Sequence, residues 1–353
     1  MIILGIETSC DETAAAVIES EPDNKGIILA QEVLSQIDSH SSFGGVVPEI
    51  AARAHLNTLD SIIKSVMEDA CLSFHELNGI AVTSGPGLAG GLIVGTMIAR
   101  TLAAVHNKPV FTINHLEGHA LTARLTHRLS FPYLLLLVSG GHTQILLIKD
   151  VGDYECLATT IDDALGEAFD KTAKLLSLPY PGGPQVEKVA LHGDPKAFDF
   201  PRPLQRHDTL NMSFSGLKTA VRKAFLEQSR EKEDICASFQ AAVGDILENR
   251  IKRAFNLFVE RFGTNGTFVM AGGVATNLYL RHRLESTCRL ASWNWIVPPK
   301  NLCTDNAAMI AWAAIERLQV GNKKNEDQGI RPRWPLDQKK QATYGSGRRG
   351  AKV

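Results

Sequence analysis

The chain has 353 residues, enough for two domains of ordinary size, and 44% of it is hydrophobic, enough to fill real cores. Its formal net charge of −1 excludes a global field that would gather nucleic acid or an anionic membrane, so any polyanion has to meet a local patch. Six cysteines, none in a CxxC pair, argue against a disulfide framework and a cysteine-built zinc site, and suit a reducing cytoplasm, the expected location.

In chain order, the N-terminus MIILGIETSCDET has no basic region followed by a long apolar run, so no secretory signal is expected. IILGI (2–6), the polar turn ETSCDET and AAAVI predict a β-hairpin. GIAVTSGPGLAGGLIVGTMIARTLAAV (79–105) predicts a strand, a glycine turn and a helix. Near 133 the hairpin pattern returns as YLLLLV, SGGHT and QILLI, and its longest apolar run is too short to cross a bilayer, so no membrane is expected. TFVMAGGVATNLYLRHRL (267–284) then repeats the strand, glycine turn and helix. Two halves with one ordered pattern predict a duplicated α/β domain.

The hairpins begin at residues 2 and 133 and the companion strands near 80 and 267, so the second half carries roughly 56 more residues between the two. The turn-rich segments PYPGGP (179–184) and GDPKAFDFPRP (193–203) mark that insertion. The expected division is a first lobe over 1–130, a second over 131–330 with an insertion around 180–235, and a C-terminal segment over 331–353. The tail from about 337, polar and basic, reads as disordered. Residues 236–261 predict a long amphipathic helix, and 304–319 a buried one capped by Thr304 or Asp305. From Lys196 to Lys223 six Lys and Arg stand against Asp199 and Asp208, a local charge of +4. That stretch is either a solvated charged face or a surface for a phosphate backbone.

Four motifs bear on chemistry. The turns SGGH (139–142) and AGGVATN (271–277) each follow an apolar strand, where backbone N–H groups can face a ligand oxygen with no Cβ in the way. Placed equivalently in two halves, they point to a nucleotide in a cleft between lobes; no P-loop pattern and no well-placed GxGxxG is present. In the first hairpin turn, Asp11 and Glu12 are either ordinary turn residues or carboxylates that orient a metal, a water or an incoming nucleophile. In IDDALGEAFDKTAKLLSLPYPGGP (161–184), acidic residues recur at helical spacing. They read either as a salt-bridged surface helix or as a ligand wall in which Asp170 or Gly183 holds ribose hydroxyls.

The fourth motif is NHLEGHALTARL (114–125). Four-residue spacing puts His115 and His119 on one helix face, close enough to share a metal. A zinc-protease helix has its glutamate directly after the first histidine. Here Glu117 comes two residues on and points roughly 200° away from His115, so it is poorly placed to activate a metal-bound water. Either the two histidines are unrelated, or they form a metal pair for which Asp305, a carboxylate at a helix start, is a candidate third ligand.

These motifs, with SSFGGVVPEIAARAH, TSGPGLAGGLIVG, SFSGLKTAV, CTDNAAMIA and RPRWPL, resemble in order the bacterial tRNA N6-adenosine threonylcarbamoyltransferase family, TsaD, from Met1 to about Leu336. The resemblance implies a duplicated actin-like ATPase fold, as in sugar kinases and Hsp70, with two lobes around a nucleotide cleft. It implies transfer of a threonylcarbamoyl group from threonylcarbamoyl-AMP to N6 of the adenosine 3′ of the anticodon, position 37, in tRNAs reading codons that begin with A. It implies one divalent metal on His115, His119 and Asp305, iron or else zinc. It implies an adenylate site on Leu137, Val138, Ser139, Gly140 and Gly141, with Asp170, Gly183, Glu187 and Asn277. Asp11 and Glu12 fall where the family has acidic residues important for activity. Glu187 stands where many relatives have Asp, and Phe43 where many have Tyr. A TsaB-like paralogue and a TsaE-like ATPase are the implied protein partners. The competing readings are a metallopeptidase, the family's older label, and a non-catalytic actin-like scaffold subunit.

Overall fold

A computed structural model describes residues 1–21, 25–227, 231–321 and 329–339. Over these residues the chain divides into two compact units: 1–130, 150–153 and 298–338 form the first, and 131–149, 154–297 and 339 the second. The basic tail lies, from residue 340 onward, outside the described residues.

In the first unit, β1 (Ile2–Glu7), β2 (Glu12–Ser20) and β3 (Gly26–Ser35) lead to α1 (Ile37–Ser41) and α2 (Pro48–Asp69). Then come β4 (Gly79–Gly85), α3 (Ala89–His106), β5 (Val110–Asn114) and α4 (His115–His127). The sheet order is β3-β2-β1-β4-β5. β1 pairs antiparallel with β2, and β4 runs parallel to both β1 and β5. Helices cover both faces, so β1, β2 and β4 are apolar almost throughout rather than alternating. Side chains still alternate in direction. Leu4 and Ile6 join Leu59 and Ile62 of α2 and Ala99 of α3 in one core cluster. α3 has the length and mean hydropathy, 1.3, of a membrane span, but Gly91, Leu92, Gly95, Thr96 and Ala99 are buried in this packing.

The second unit repeats the plan. β6 (Tyr133–Val138), β7 (Thr143–Asp150) and β8 (Asp153–Thr159) are followed by α5 (Leu165–Leu175), α6 (Gly182–Ala190), α7 (Ser215–Leu226) and α8 (Lys232–Phe262). β9 (Thr267–Ala271), α9 (Leu278–Leu290) and β10 (Asn294–Ile296) complete it. Its sheet order, β8-β7-β6-β9-β10, copies the first strand for strand. β6 and β7 are antiparallel, and β9 is parallel to β6 and β10, as in the first unit. The four helices α5 to α8 stand between the third and fourth strands, where the first unit has α1 and α2. That is where the extra residues lie.

The remaining helices, α10 (Lys300–Cys303) and α11 (Ala307–Gln319), belong to the first unit. A division made in chain order groups 298–330 with the second lobe; the structure returns α10 and α11 to the first unit. The contact is close: a Cβ on Gly5 of β1 would lie 2.3 Å from the Ala307 carbonyl oxygen. The cap of α11 also differs from expectation. Neither Thr304 nor Asp305 caps it; Asn306 does, accepting from the Met309 N–H at 2.9 Å. Asp305 is thereby left one residue ahead of the cap with its carboxylate available to other partners.

Candidate metal centre and ligand-facing turns

The alternation along β1 explains the first site. Gly5 and Glu7 share the face on which α11 and α4 lie, opposite Leu4 and Ile6. α4 begins directly after β5, with Asn114 capping it through the Leu116 N–H, so His115 is held in the first turn of the helix. One turn on, His119 lies beside it, the rings 4.8 Å apart and perpendicular. Gly118 does not break this helix. A Cβ there would meet Met309 and Ile310 at about 3 Å, so the glycine lets α4 settle against α11.

The Nε2 atoms of both histidines converge on one oxygen: Asp305 Oδ1 is 3.4 Å from His115 Nε2 and 3.1 Å from His119 Nε2. One ligand atom from each of the three residues lies within 4.8 Å of the others. A tetrahedral site with bonds near 2.0–2.1 Å has ligand atoms roughly 3.3–3.4 Å apart, so the spacing to Asp305 suits a first-row divalent ion. Behind His115, Glu7 Oε2 is 3.0 Å from Nδ1. An N–H on Nδ1 donating to this carboxylate leaves the Nε2 lone pair facing Asp305, the arrangement by which carboxylates orient metal-binding histidines. Glu7 is itself fixed, accepting from the Ser9 N–H at 2.5 Å and from Thr83 Oγ1 at 2.5 Å. His119 is held less completely: its Nδ1 is buried with no hydrogen-bond partner among the described residues.

Charge matches this geometry. Burial opposes ionisation of Glu7 and Asp305, but the adjacent His115 holds both carboxyls below the usual range. Burial also opposes charge on His115, yet Asp305 and Glu7 together raise its pKa well above the ordinary value. The site therefore favours a cation among its carboxylates. Sequence reasoning missed Glu7; its only signal was an acidic residue at the end of an otherwise apolar strand.

Asp11 and Glu12 belong to the same neighbourhood. Burial, then the charges of Asp305 and Asp11, push the Glu12 carboxyl well above its usual pKa. The Cys10 thiol is raised by burial and by the same acids. Asp11, Glu12, His115, His119 and Asp305 are thus gathered in the first unit.

Glu117 faces the other way. It is fully buried, with Oε2 2.5 Å from Nη2 of Arg317 on α11. A carboxylate committed to an arginine on the far side of its helix cannot serve as the base of a peptidase, and that alternative is not favoured.

In the second unit the turn Ser139–His142 closes with the Ser139 N–H donating to the His142 carbonyl at 2.8 Å and the His142 N–H to Ser139 Oγ at 3.1 Å. A Cβ on Gly140 or Gly141 would meet nothing within 4 Å, and neither has a left-handed φ. Among the described residues nothing requires glycine at either position, and the bare backbone leaves room for a ligand oxygen to approach. Gly272 is different: its φ is +94° and a Cβ would sit 2.3 Å from the Val138 carbonyl oxygen, which ties the second glycine turn to the end of β6.

Leu137 and Val138 are fully buried within the sheet, so in the stretch 137–141 the positions open to a ligand are Gly140 and Gly141, with Ser139 partly so. Asp170 accepts from the Gly182 N–H at 2.9 Å, setting the turn that carries Gly183. Asn277 caps α9 through the Leu280 N–H and donates to Gln240. Glu187 accepts from the Leu278 N–H at 2.6 Å.

The basic stretch is less free than its charge suggests. Arg202 is paired with Asp245 and Asp199, and Lys218 with Asp163. Lys196, Arg206 and Arg222 are exposed.

Two sheets of identical strand order, each with a hairpin, a glycine turn and a companion strand, define the duplicated actin-like ATPase class of α/β fold. Solved structures agree on the fold alone. Component A of the Acidaminococcus fermentans (R)-2-hydroxyglutaryl-CoA dehydratase matches at TM-score 0.51 and 14% identity, over 90% of this chain and 99% of its own. HypF from T. kodakarensis matches at TM-score 0.61 and 14% identity, over 91% of this chain and 48% of its own. The TsaD family model, described as tRNA N6-adenosine threonylcarbamoyltransferase, matches residues 27–312. Proteins of that name from Brucella suis and Brucella abortus are 58% and 57% identical to this chain, over the full length of both partners. The chain belongs to the TsaD family.

Proposed function

We propose that this chain transfers a threonylcarbamoyl group from threonylcarbamoyl-AMP to N6 of the adenosine at position 37, 3′ of the anticodon, in tRNAs reading codons that begin with A. Membership of the family, with identity over the full chain, supports the activity. The observation that carries the chemistry is the convergence of His115 and His119 on Asp305, backed by Glu7 and neighboured by the Asp11–Glu12 turn.

In this reading the N6 amine attacks the carbamoyl carbon, the bond from that carbon to the phosphate oxygen breaks, and AMP departs. The donor is already activated, so no covalent enzyme intermediate is needed. The exocyclic amine is a poor nucleophile, so positioning dominates. Asp11 and Glu12 orient it and accept its proton, a role suited to a carboxyl of raised proton affinity such as Glu12. His115, His119 and Asp305 hold one divalent ion, Fe(2+) or alternatively Zn(2+). When bound, that ion supplies Lewis-acid stabilisation of developing negative charge. The backbone of Leu137–Gly141, with Asp170, Gly183, Glu187 and Asn277, takes the adenylate half; the open faces of Gly140 and Gly141 support this. The target adenosine reaches the site unstacked from its loop. A TsaB-like paralogue and a TsaE-like ATPase are the proposed partners, and the cytoplasm the proposed location.

The test is nucleoside analysis of tRNA lacking the modification after incubation with the protein, its partners and threonylcarbamoyl-AMP, beside a peptide-cleavage assay and metal analysis. Threonylcarbamoyladenosine should form and no peptide should be cut. Absence of that nucleoside with folded, metal-loaded protein would sink the reading.

A further inference from the structure

The turn that carries Asp11 and Glu12 is held by an unusual set of donors. Three consecutive carbonyls each receive one from a different element. The Leu88 N–H, just ahead of α3, donates to the Ser9 oxygen at 2.7 Å. The Gln36 N–H donates to the Asp11 oxygen at 3.0 Å. Between them, the Cys10 oxygen lies 3.1 Å from His55 Nε2 on α2. Two of the three holds are backbone; His55 alone is a side chain.

His55 is fully buried, and its partners define its tautomer. A carbonyl can only accept, so Nε2 carries the proton. Burial lowers the pKa of the ring, which therefore stays neutral, so Nδ1 is an acceptor. It faces Thr13 Oγ1 at 2.8 Å and Gln36 Nε2 at 3.2 Å, both able to donate. Gln36 is oriented in turn. Its Nε2 also donates to Thr13 Oγ1, and its Oε1 lies 3.3 Å from Nε2 of the fully buried His40. His40 accepts on Nδ1 from the Val47 N–H at 3.3 Å, so its Nε2 is the donor. Every proton in the chain then has one direction: Val47 to His40, His40 to Gln36, Gln36 and Thr13 to His55, His55 to Cys10. The ring is confined as well, because a Cβ on Gly91 of α3 would lie 3.1 Å from it.

We propose that His55 is a positioning residue for the Asp11–Glu12 turn, donating from Nε2 to the Cys10 carbonyl in a tautomer set by Thr13, Gln36 and His40. The network touches none of the three candidate metal ligands, so its role is separable from metal binding. It acts on the orientation of the two carboxylates, hence on the acyl-transfer step rather than on the binding of either substrate. This rests on the reading of Asp11 and Glu12 as the working carboxylates.

The experiment compares His55→Ala, His55→Gln and Thr13→Val with Asp11→Asn and Glu12→Gln in reconstituted transfer to tRNA, after circular dichroism and metal analysis show each protein folded and loaded. His55→Ala should lower kcat about 10- to 100-fold, with KM for tRNA and adenylate within about threefold of the parent. His55→Gln, which keeps an N–H at similar reach, should recover most of that loss. Thr13→Val, nearly isosteric, should cost roughly three- to tenfold in kcat through the loosened tautomer. Parental kcat in folded His55→Ala, or equal damage in His55→Ala and His55→Gln, would overturn the positioning role. Should Asp11→Asn and Glu12→Gln both keep parental kcat, the reading of the turn itself falls, an outcome distinct from failure of the His55 hold.

Discussion

Glu7 and Asp305 flank opposite nitrogens of the same imidazole: Glu7 Oε2 is 3.0 Å from His115 Nδ1, and Asp305 Oδ1 is 3.4 Å from Nε2. One carboxylate sets the ring, and the other shares its ligand face. Replacing Glu7 by Gln removes the charge that strengthens His115 as a donor atom without removing the ligand. Metal affinity, measured by chelator competition, should fall about 10- to 100-fold. An affinity within twofold of the parent would show that Glu7 has no part in the metal centre.

Adjacent residues at the start of α11 have separable jobs. Asp305→Asn should abolish tight metal binding while leaving the Asn306 cap in place. Asn306→Ala should leave the ligands in place but remove the helix cap, at a cost of about 1 kcal/mol in unfolding free energy. Denaturant titration alongside metal titration distinguishes them; the same pattern for both variants would refute the division.

Breaking the Glu117–Arg317 pair should act on stability. Glu117→Gln leaves an arginine, itself 28% exposed, against a buried neutral amide. Partial exposure puts the expected loss below that of a fully buried pair, at about 2–3 kcal/mol by urea denaturation. Peptide cleavage should be absent in parent and variant alike. A marginal stability change would mean the pair is far more solvated than its geometry indicates.

Charge reversal in the insertion should give two outcomes. Arg206→Glu with Arg222→Glu should weaken tRNA binding and reduce its salt dependence, while adenylate binding stays intact. Arg202→Glu instead places a carboxylate against Asp245 and should lower the melting temperature. Unchanged tRNA affinity of the double variant at moderate salt removes this surface from the tRNA path.

Asp162 predicts an acid limit. Burial alone would raise its carboxyl pKa, but donors from Ser213, Phe214 and Ser215 outweigh that and hold it below the ordinary 3.8. A depressed folded-state pKa contributes stability above the unfolded value, lost as pH falls through the folded one. Asp162→Asn should be less stable at pH 7, and its stability should decline less steeply between about pH 5 and pH 2. Parallel pH profiles for parent and variant would contradict the assignment.

Much of the fold was legible because duplication wrote it twice. The apolar run, polar turn and second apolar run at 2–18 recur at 133–148, and both become antiparallel pairs beside a parallel companion strand. The direction of Glu117 was legible from helical periodicity alone. The return of α10 and α11 to the first unit was not, because nothing local distinguishes a helix that packs on a nearby sheet from one that packs on a sheet made some 300 residues earlier. The α11 cap was misread for a related reason: Thr304, Asp305 and Asn306 are all good caps, and the tertiary demand for Asp305 decides among them. Glu7 and His55 stayed hidden because their partners, His115 and Cys10, are distant in sequence, and each residue alone looks like an ordinary strand end or helix histidine.

The seating of Ala307 over Gly5 has a consequence for biosynthesis. On the ribosome, the first sheet emerges early but waits for its covering helix until the whole second unit has been translated. During that interval His115 and His119 are already made while Asp305 is not. The nascent N-terminal half therefore carries an open apolar face and two of the three candidate ligands, and the third arrives only with the start of the last helix of the described chain.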